Sequence, residues 1–179
     1  KKVGRDIEEE PVKLYLEKDA WKATEGTEPA VEIEKNTEVA QGDDKAKEAK
    51  RYLREAKLGD AEAQFKVGMM YKEGSGIAQD ESEALHWFLK AAEQEMVDAQ
   101  LYLGDMYQDG LGVPKNDTEA VKWYSKAAQQ GNARAQYSLG LKVFFGEGVK
   151  QDFAEAVKWY VRAALQGHRE AQFNLGGIY

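Results

Sequence analysis

Ala99-Gln100-Leu101-Tyr102-Leu103-Gly104-Asp105-Met106-Tyr107 is one of four related stretches in this chain. The others are Ala63-Gln64-Phe65-Lys66-Val67-Gly68-Met69-Met70-Tyr71, then Ala135-Gln136-Tyr137-Ser138-Leu139-Gly140-Leu141-Lys142-Val143. The fourth, Ala171-Gln172-Phe173-Asn174-Leu175-Gly176, runs to Tyr179. Each copy begins 36 residues after the last, and Trp87, Trp123 and Trp159 keep the same interval. A fixed period of 20–50 residues is the mark of a solenoid, whose units bury their apolar faces only against neighbours. Such arrays present long surfaces rather than closed pockets, so binding is expected before catalysis.

Within a unit, the Ala, the Val/Leu four residues on and the Tyr/Val a further four on form a helical stripe, not the alternation of a strand. This predicts a first helix, A, over roughly 61–72, 97–108, 133–144 and 169–179. Two glycines then close each A helix (Gly74 and Gly76, Gly110 and Gly112, Gly146 and Gly148). Asp80 with Glu83, Asn116 with Glu119 and Asp152 with Glu155 have the spacing of capping boxes that start a second helix, B. Helix B carries Ala84, Trp87, Phe88, Ala91 and Ala92, repeated in phase twice more, and the tryptophans are expected to be core. Gly131 and Gly167 end two B helices, but the matching position of the first unit is Glu95, where a positive φ would cost about 1 kcal/mol. Ala46 to Leu58 reads as a lone B helix that caps the array.

The pattern Ala-x-x-x-Leu-Gly-x-x-Tyr-x-x-Gly-x-Gly-Val, followed by Ala-x-x-Trp-Tyr-x-Lys-Ala-Ala-x-Gln-Gly, resembles the Sel-1-like repeat. That is a tetratricopeptide-like subfamily with a longer, glycine-bearing loop. The likeness spans roughly residues 46–179, with Ile77, Glu95 and Val143 as departures. It implies an all-α, right-handed α-α superhelix and a non-enzymatic adaptor or scaffold that binds a partner protein or peptide. By analogy with tetratricopeptide units, the concave surface would be lined by Phe65, Met69 and Lys72, then Leu101, Asp105 and Gln108, then Tyr137, Leu141 and Phe144. These positions change from Met/Lys through acidic to apolar along an otherwise constant frame, so a partner's apolar anchor is expected near Leu141 and Phe144. The competing expectation is that Phe65, Leu101, Tyr137 and Phe173 pack between adjacent A helices. The alternative function is a regulatory or localising repeat region of a longer enzyme, or of a secretion or signalling component.

Composition narrows the classes further. The chain has 179 residues, a net charge of −7 and a pI near 5.1. It lacks the Lys/Arg stripe that nucleic acid requires, and its apolar runs are far shorter than the ~20 residues of a membrane span. No cysteine is present, which excludes disulfides, thiolate metal sites and the branch of the family with one disulfide per repeat. His86 and His168 fall at unrelated points of the repeat with no second ligand at helical spacing, so no metal or cofactor is expected. Gly74-Ser75-Gly76 lacks the Gly-Lys-Ser/Thr of a phosphate loop. No serine has the context of an acylation nucleophile.

Residues 1–45 stand outside the repeat: eight Lys/Arg against thirteen Asp/Glu give this acidic extension −5 of the total charge. It is expected to be flexible, although Val12–Glu17 and Val31–Glu34 alternate like strands, and Trp21 or Leu14–Leu16 could dock on the array. The expected organisation is thus 1–45 extension, 46–60 capping helix and 61–179 repeats, divided as 61–96, 97–132, 133–168 and a partial unit 169–179. The chain opens on Lys1-Lys2 rather than Met and reads as trimmed. Its location stays open, with a bacterial periplasmic or secreted setting favoured over the cytoplasm. At the other end, Leu175 and Ile178 have no following B helix, so either the natural protein continues or this end self-associates.

Overall fold

The computed structural model describes residues 43–178, so the expectations for the acidic extension and for Tyr179 lie outside the described residues. The described residues form eight helices and no strand. A capping helix α1 (Asp43–Lys57) precedes three A/B pairs: α2 (Ala61–Glu73) with α3 (Glu81–Glu93), α4 (Val97–Asp109) with α5 (Asp117–Gln129), and α6 (Ala133–Phe145) with α7 (Phe153–Leu165). A final A helix, α8 (Arg169–Ile178), follows. Each helix packs on the next in sequence, as a solenoid requires.

The ends of the helices are built as their spacing implies. Asp80, Asn116 and Asp152 each accept a backbone N–H in the first turn of the B helix they precede. Gly74, Gly110 and Gly146 close the A helices in the left-handed region at φ 69°, 74° and 73°. At the B-to-A turn the same region holds Gly59, Gly131, Gly167 and, alone among described non-glycine residues, Glu95 at φ 63°. Asp60 and Asn132 then cap α2 and α6, but Met96 offers α4 no side-chain acceptor. The junction between the first and second units therefore carries two local defects.

The core corrects one expectation. Trp87 and Trp159 are buried, but Trp123 is only half-buried. The ring sealed in every unit is the next one, Phe88, Tyr124 or Tyr160, each at most 1% exposed. The reason is steric. Residues 88, 124 and 160 lie against the glycine of their own A helix, where an added Cβ at Gly68, Gly104 or Gly140 would fall 2.7, 2.4 or 2.7 Å from the ring. The tryptophans lie further out, each with a cation from the next turn over its face: Lys90, Lys126 and Arg162 at 4.6, 4.3 and 4.5 Å.

A buried amide ladder ties the units together. Gln64, Gln100 and Gln136 are 5%, 2% and 5% exposed. Each donates to a carbonyl of the helix before it, Ala56, Ala92 or Ala128. Each also accepts, at 2.8–2.9 Å, from Gln94, Gln130 or Gln166 at the end of its own unit's B helix. A buried amide is tolerated only when its partners are supplied, and the 36-residue frame supplies them three times.

Candidate binding wall of the A helices

The helix A positions singled out from sequence lie on one face of α2, α4 and α6, between the buried stripe and solvent. All are half-buried except Leu101, which is 5% exposed and unavailable to a partner. At the second unit the accessible ring belongs instead to Tyr102. It stacks on Phe88 with centroids 5.4 Å apart and meets Phe65 at 5.7 Å. Lys72 holds its ammonium 4.8 Å above the same Tyr102 ring. Phe65, Lys72 and Tyr102 thus form one cluster across the first two units, with Met69 half-buried on the same helix. Tyr102 is one residue out of phase with the expected wall, and its neighbours at that phase, Lys66 and Ser138, are polar; this concealed it in the sequence.

The middle of the wall is polar. Asp105 accepts from the Tyr124 hydroxyl at 2.8 Å and pairs with Arg134 of the next A helix at 2.6 Å. Gln108 lies 3.4 Å from the same hydroxyl. Desolvation raises the Asp105 carboxyl above its ordinary value, against the opposing pull of Tyr124 and Arg134. Burial, reinforced by the Asp105 charge, pushes the Tyr124 phenol well up. Arg134, which the sequence reading did not single out, is the cation that joins the second and third units across the wall.

The third unit is aromatic. Tyr137 stacks on His168 at 4.6 Å and approaches Tyr160 at 5.8 Å. Leu141 is half-buried, and Phe144 meets Phe145 and Phe153 at 5.1 and 5.0 Å. Phe65, Leu101 and Tyr137 therefore do pack along the array, whereas Phe173 is 83% exposed.

Among the described residues no group of His, Asp and Glu is placed to hold a metal ion, and no helix is long and apolar enough to cross a membrane. The cleft between α1 and α2, about 590 Å³ and lined by Tyr52, Glu62 and Lys66, lies open to solvent.

Comparison with known proteins agrees with this geometry. Sel1 repeats are recognised at residues 61–96, 97–132 and 133–168. A Sel1 repeat protein from Oxalobacter formigenes superposes with TM-score 0.70 at 40% identity, over 73% of this chain and 54% of that one. A protective antigen of uropathogenic Escherichia coli with an SLR fold is 32% identical at TM-score 0.50, over 74% of this chain and 36% of its own. The chain thus spans about half of the first relative and about a third of the second. Helicobacter pylori cysteine rich protein B, at 24% identity and TM-score 0.55, shares the fold; the same frame stands here without a single cysteine. No curated protein matches the chain.

Proposed function

The chain belongs to the Sel1 repeat family, whose repeats are protein-interaction modules and typically non-catalytic, and from that premise we propose that it is an adaptor. It holds a partner protein or peptide along the A-helix wall formed by Phe65, Met69, Lys72, Tyr102, Asp105, Gln108, Tyr137, Leu141 and Phe144. Leu101, buried, contributes only packing. The observation that carries this reading is variation at fixed positions. Met69, Asp105 and Leu141 occupy one structural site in successive units, all half-buried, while the Ala, Gly and Gln positions behind them do not change. Asp105 answers Tyr124 and Arg134 within the fold, so it is the change from Met69 to Leu141, in front of unchanged Ala, Gly and Gln positions, that supports a surface matched to a partner.

The expected contact is an extended segment laid across three A helices, with an apolar side chain at Leu141 and Phe144 and polar contacts at Asp105 and Arg134. Affinity capture from extract with the parent and with a Met69→Ser, Leu141→Ser double variant tests it. Loss of the captured partner with unchanged helicity supports the wall; retention of the same partner by the variant removes it.

A further inference from the structure

The two junctions between complete units share a frame but are held by different chemistry. At the second, α6 is tied back to unit two by two ion pairs: Arg134 with Asp105 of α4 at 2.6 Å, and the buried Lys142 with Asp117 of α5 at 2.7 Å. One repeat earlier the same four positions are Asp98, Met69, Met106 and Glu81. Asp98 cannot pair with Met69, nor Met106 with Glu81, so the first junction has neither bond.

The connecting turns differ in the same sense. Gly131-Asn132 at the second junction is Glu95-Met96 at the first. Gly131 takes its φ of 93° without strain, and Asn132 caps α6 through the Ala135 N–H at 2.9 Å. Glu95 is held at φ 63° against its own preference, and Met96 gives α4 no side-chain acceptor. Leaving this turn therefore relieves strain and breaks no side-chain cap, which favours its opened form at least roughly tenfold over that of its counterpart. The amide crossing this junction is also the longest of its kind. Gln100 reaches the Ala92 carbonyl at 3.4 Å, against 3.1 Å for Gln64, 3.2 Å for Gln136 and 3.1 Å for Gln172.

Rings span the first junction instead. Tyr102 of α4 lies 12° from parallel with Phe88 of α3, at 5.4 Å between centroids; it meets Phe65 of α2 at 5.7 Å and lies under the Lys72 ammonium at 4.8 Å. Apolar contact has no fixed direction, so these faces can slide or part without stranding a buried charge, as parting Lys142 from Asp117 would. Helix α1 stays with unit one, through Gln64 on the Ala56 carbonyl at 3.1 Å and Gln94 on the Gly59 carbonyl at 3.0 Å.

We propose that the turn at residues 94–96 is a hinge, about which α1 and unit one swing as one body against units two and three, opening and closing the Phe65–Lys72–Tyr102 cluster. Hinges are short, element-terminal segments that absorb a change in φ and ψ, and Glu95 has its preferred negative-φ regions to move into. The swing parts Tyr102 from Phe65 and Lys72 and changes the span of the wall between units one and two. It is a property of the chain alone and holds whether or not the wall binds a partner.

Because the chain has no cysteine, nitroxide labels can be placed selectively. Ser82, Thr118 and Ala154 are the second residues of α3, α5 and α7 and are all exposed. Pulsed electron–electron double resonance on Ser82→Cys/Thr118→Cys reads the first junction, and on Thr118→Cys/Ala154→Cys the second, with the label's own spread common to both. The first distance distribution should be roughly twofold broader than the second. Adding E95G/M96N, which copies the second junction's turn, should narrow the first to the width of the second and leave the second unchanged. Tyr102→Ser, which removes the closing ring, should broaden the first alone. Equal widths in the parent overturn the proposal. A first distribution that E95G/M96N leaves broad puts the motion in the helix starts and overturns it as well. No response to Tyr102→Ser overturns the ring cluster as the closing contact.

Discussion

Glu95 shows how a single residue can be read against its frame. It stands at φ 63° where Gly59, Gly131 and Gly167 stand at 99°, 93° and 86°, and nothing lies within 4 Å of a Cβ placed at Gly131 or Gly167. The penalty at Glu95 is therefore conformational and not steric. Glu95→Gly should stabilise the array by about 1 kcal/mol, visible as a melting temperature roughly 2–4 °C higher; a fall would contradict it. Gly104 is the opposite case. Its absent side chain admits Tyr124, so Gly104→Ala should cost about 1–3 kcal/mol by overpacking, measured by chemical denaturation.

Two aspartates should move stability in opposite directions with pH. Asp105, with its folded value raised by desolvation, takes up its proton earlier in the folded state than in the unfolded state, so acidification through that range favours folding. Asp117, with its folded value lowered by the bond from Lys142, contributes stability above the ordinary carboxylate range that is lost as pH falls through its folded value. In melting curves between pH 7 and 3, Asp117→Asn should flatten the acid loss and Asp105→Asn should steepen it. Identical slopes for both variants would refute these assignments.

At the scale of the helix, the junction between α3 and α4 is the weak seam. Asn132 gives the Ala135 N–H an acceptor at 2.9 Å, whereas Met96 gives Ala99 none. The first turn of α4 should therefore exchange its amide protons faster than that of α6, as read by hydrogen exchange; equal protection would show that the missing cap is made up elsewhere. The helices were legible in the sequence because caps and glycines recur at one spacing, and Glu95 was visible as the exception. The amide ladder was not read from it. Gln64 on an amphipathic helix looks like a solvent residue until Gln94 is seen opposite, although both recur every 36 residues, and that recurrence was the available signal. Of the three tryptophans expected in the core, Trp87 and Trp159 are buried and Trp123 is only half-buried; the gap left by the A-helix glycine is filled by the neighbouring Phe or Tyr.

Across the whole array, the constant frame and the variable surface separate cleanly. Lys142 belongs to the frame's local repairs: Lys142→Met, which restores the residue of units one and two, should change stability by less than about 1 kcal/mol, whereas Lys142→Ala should cost about 2 kcal/mol or more by leaving a cavity. What faces outward differs from unit to unit: Met69 and Lys72, then Asp105 and Gln108, then Leu141 and Phe144. Sequence phase placed most of these on one face, and it failed at Leu101 because a one-residue rotation of the exposed stripe exchanges Leu101 for Tyr102. Arg134 escaped because its role depends on Asp105, 29 residues earlier. The proposed partner lies on the A-helix face. Hydrogen exchange of the chain, free and bound to its affinity-captured partner, tests this most directly. New protection in α2, α4 and α6 with little change in the B helices is expected; protection confined to α3, α5 and α7 would overturn the proposal.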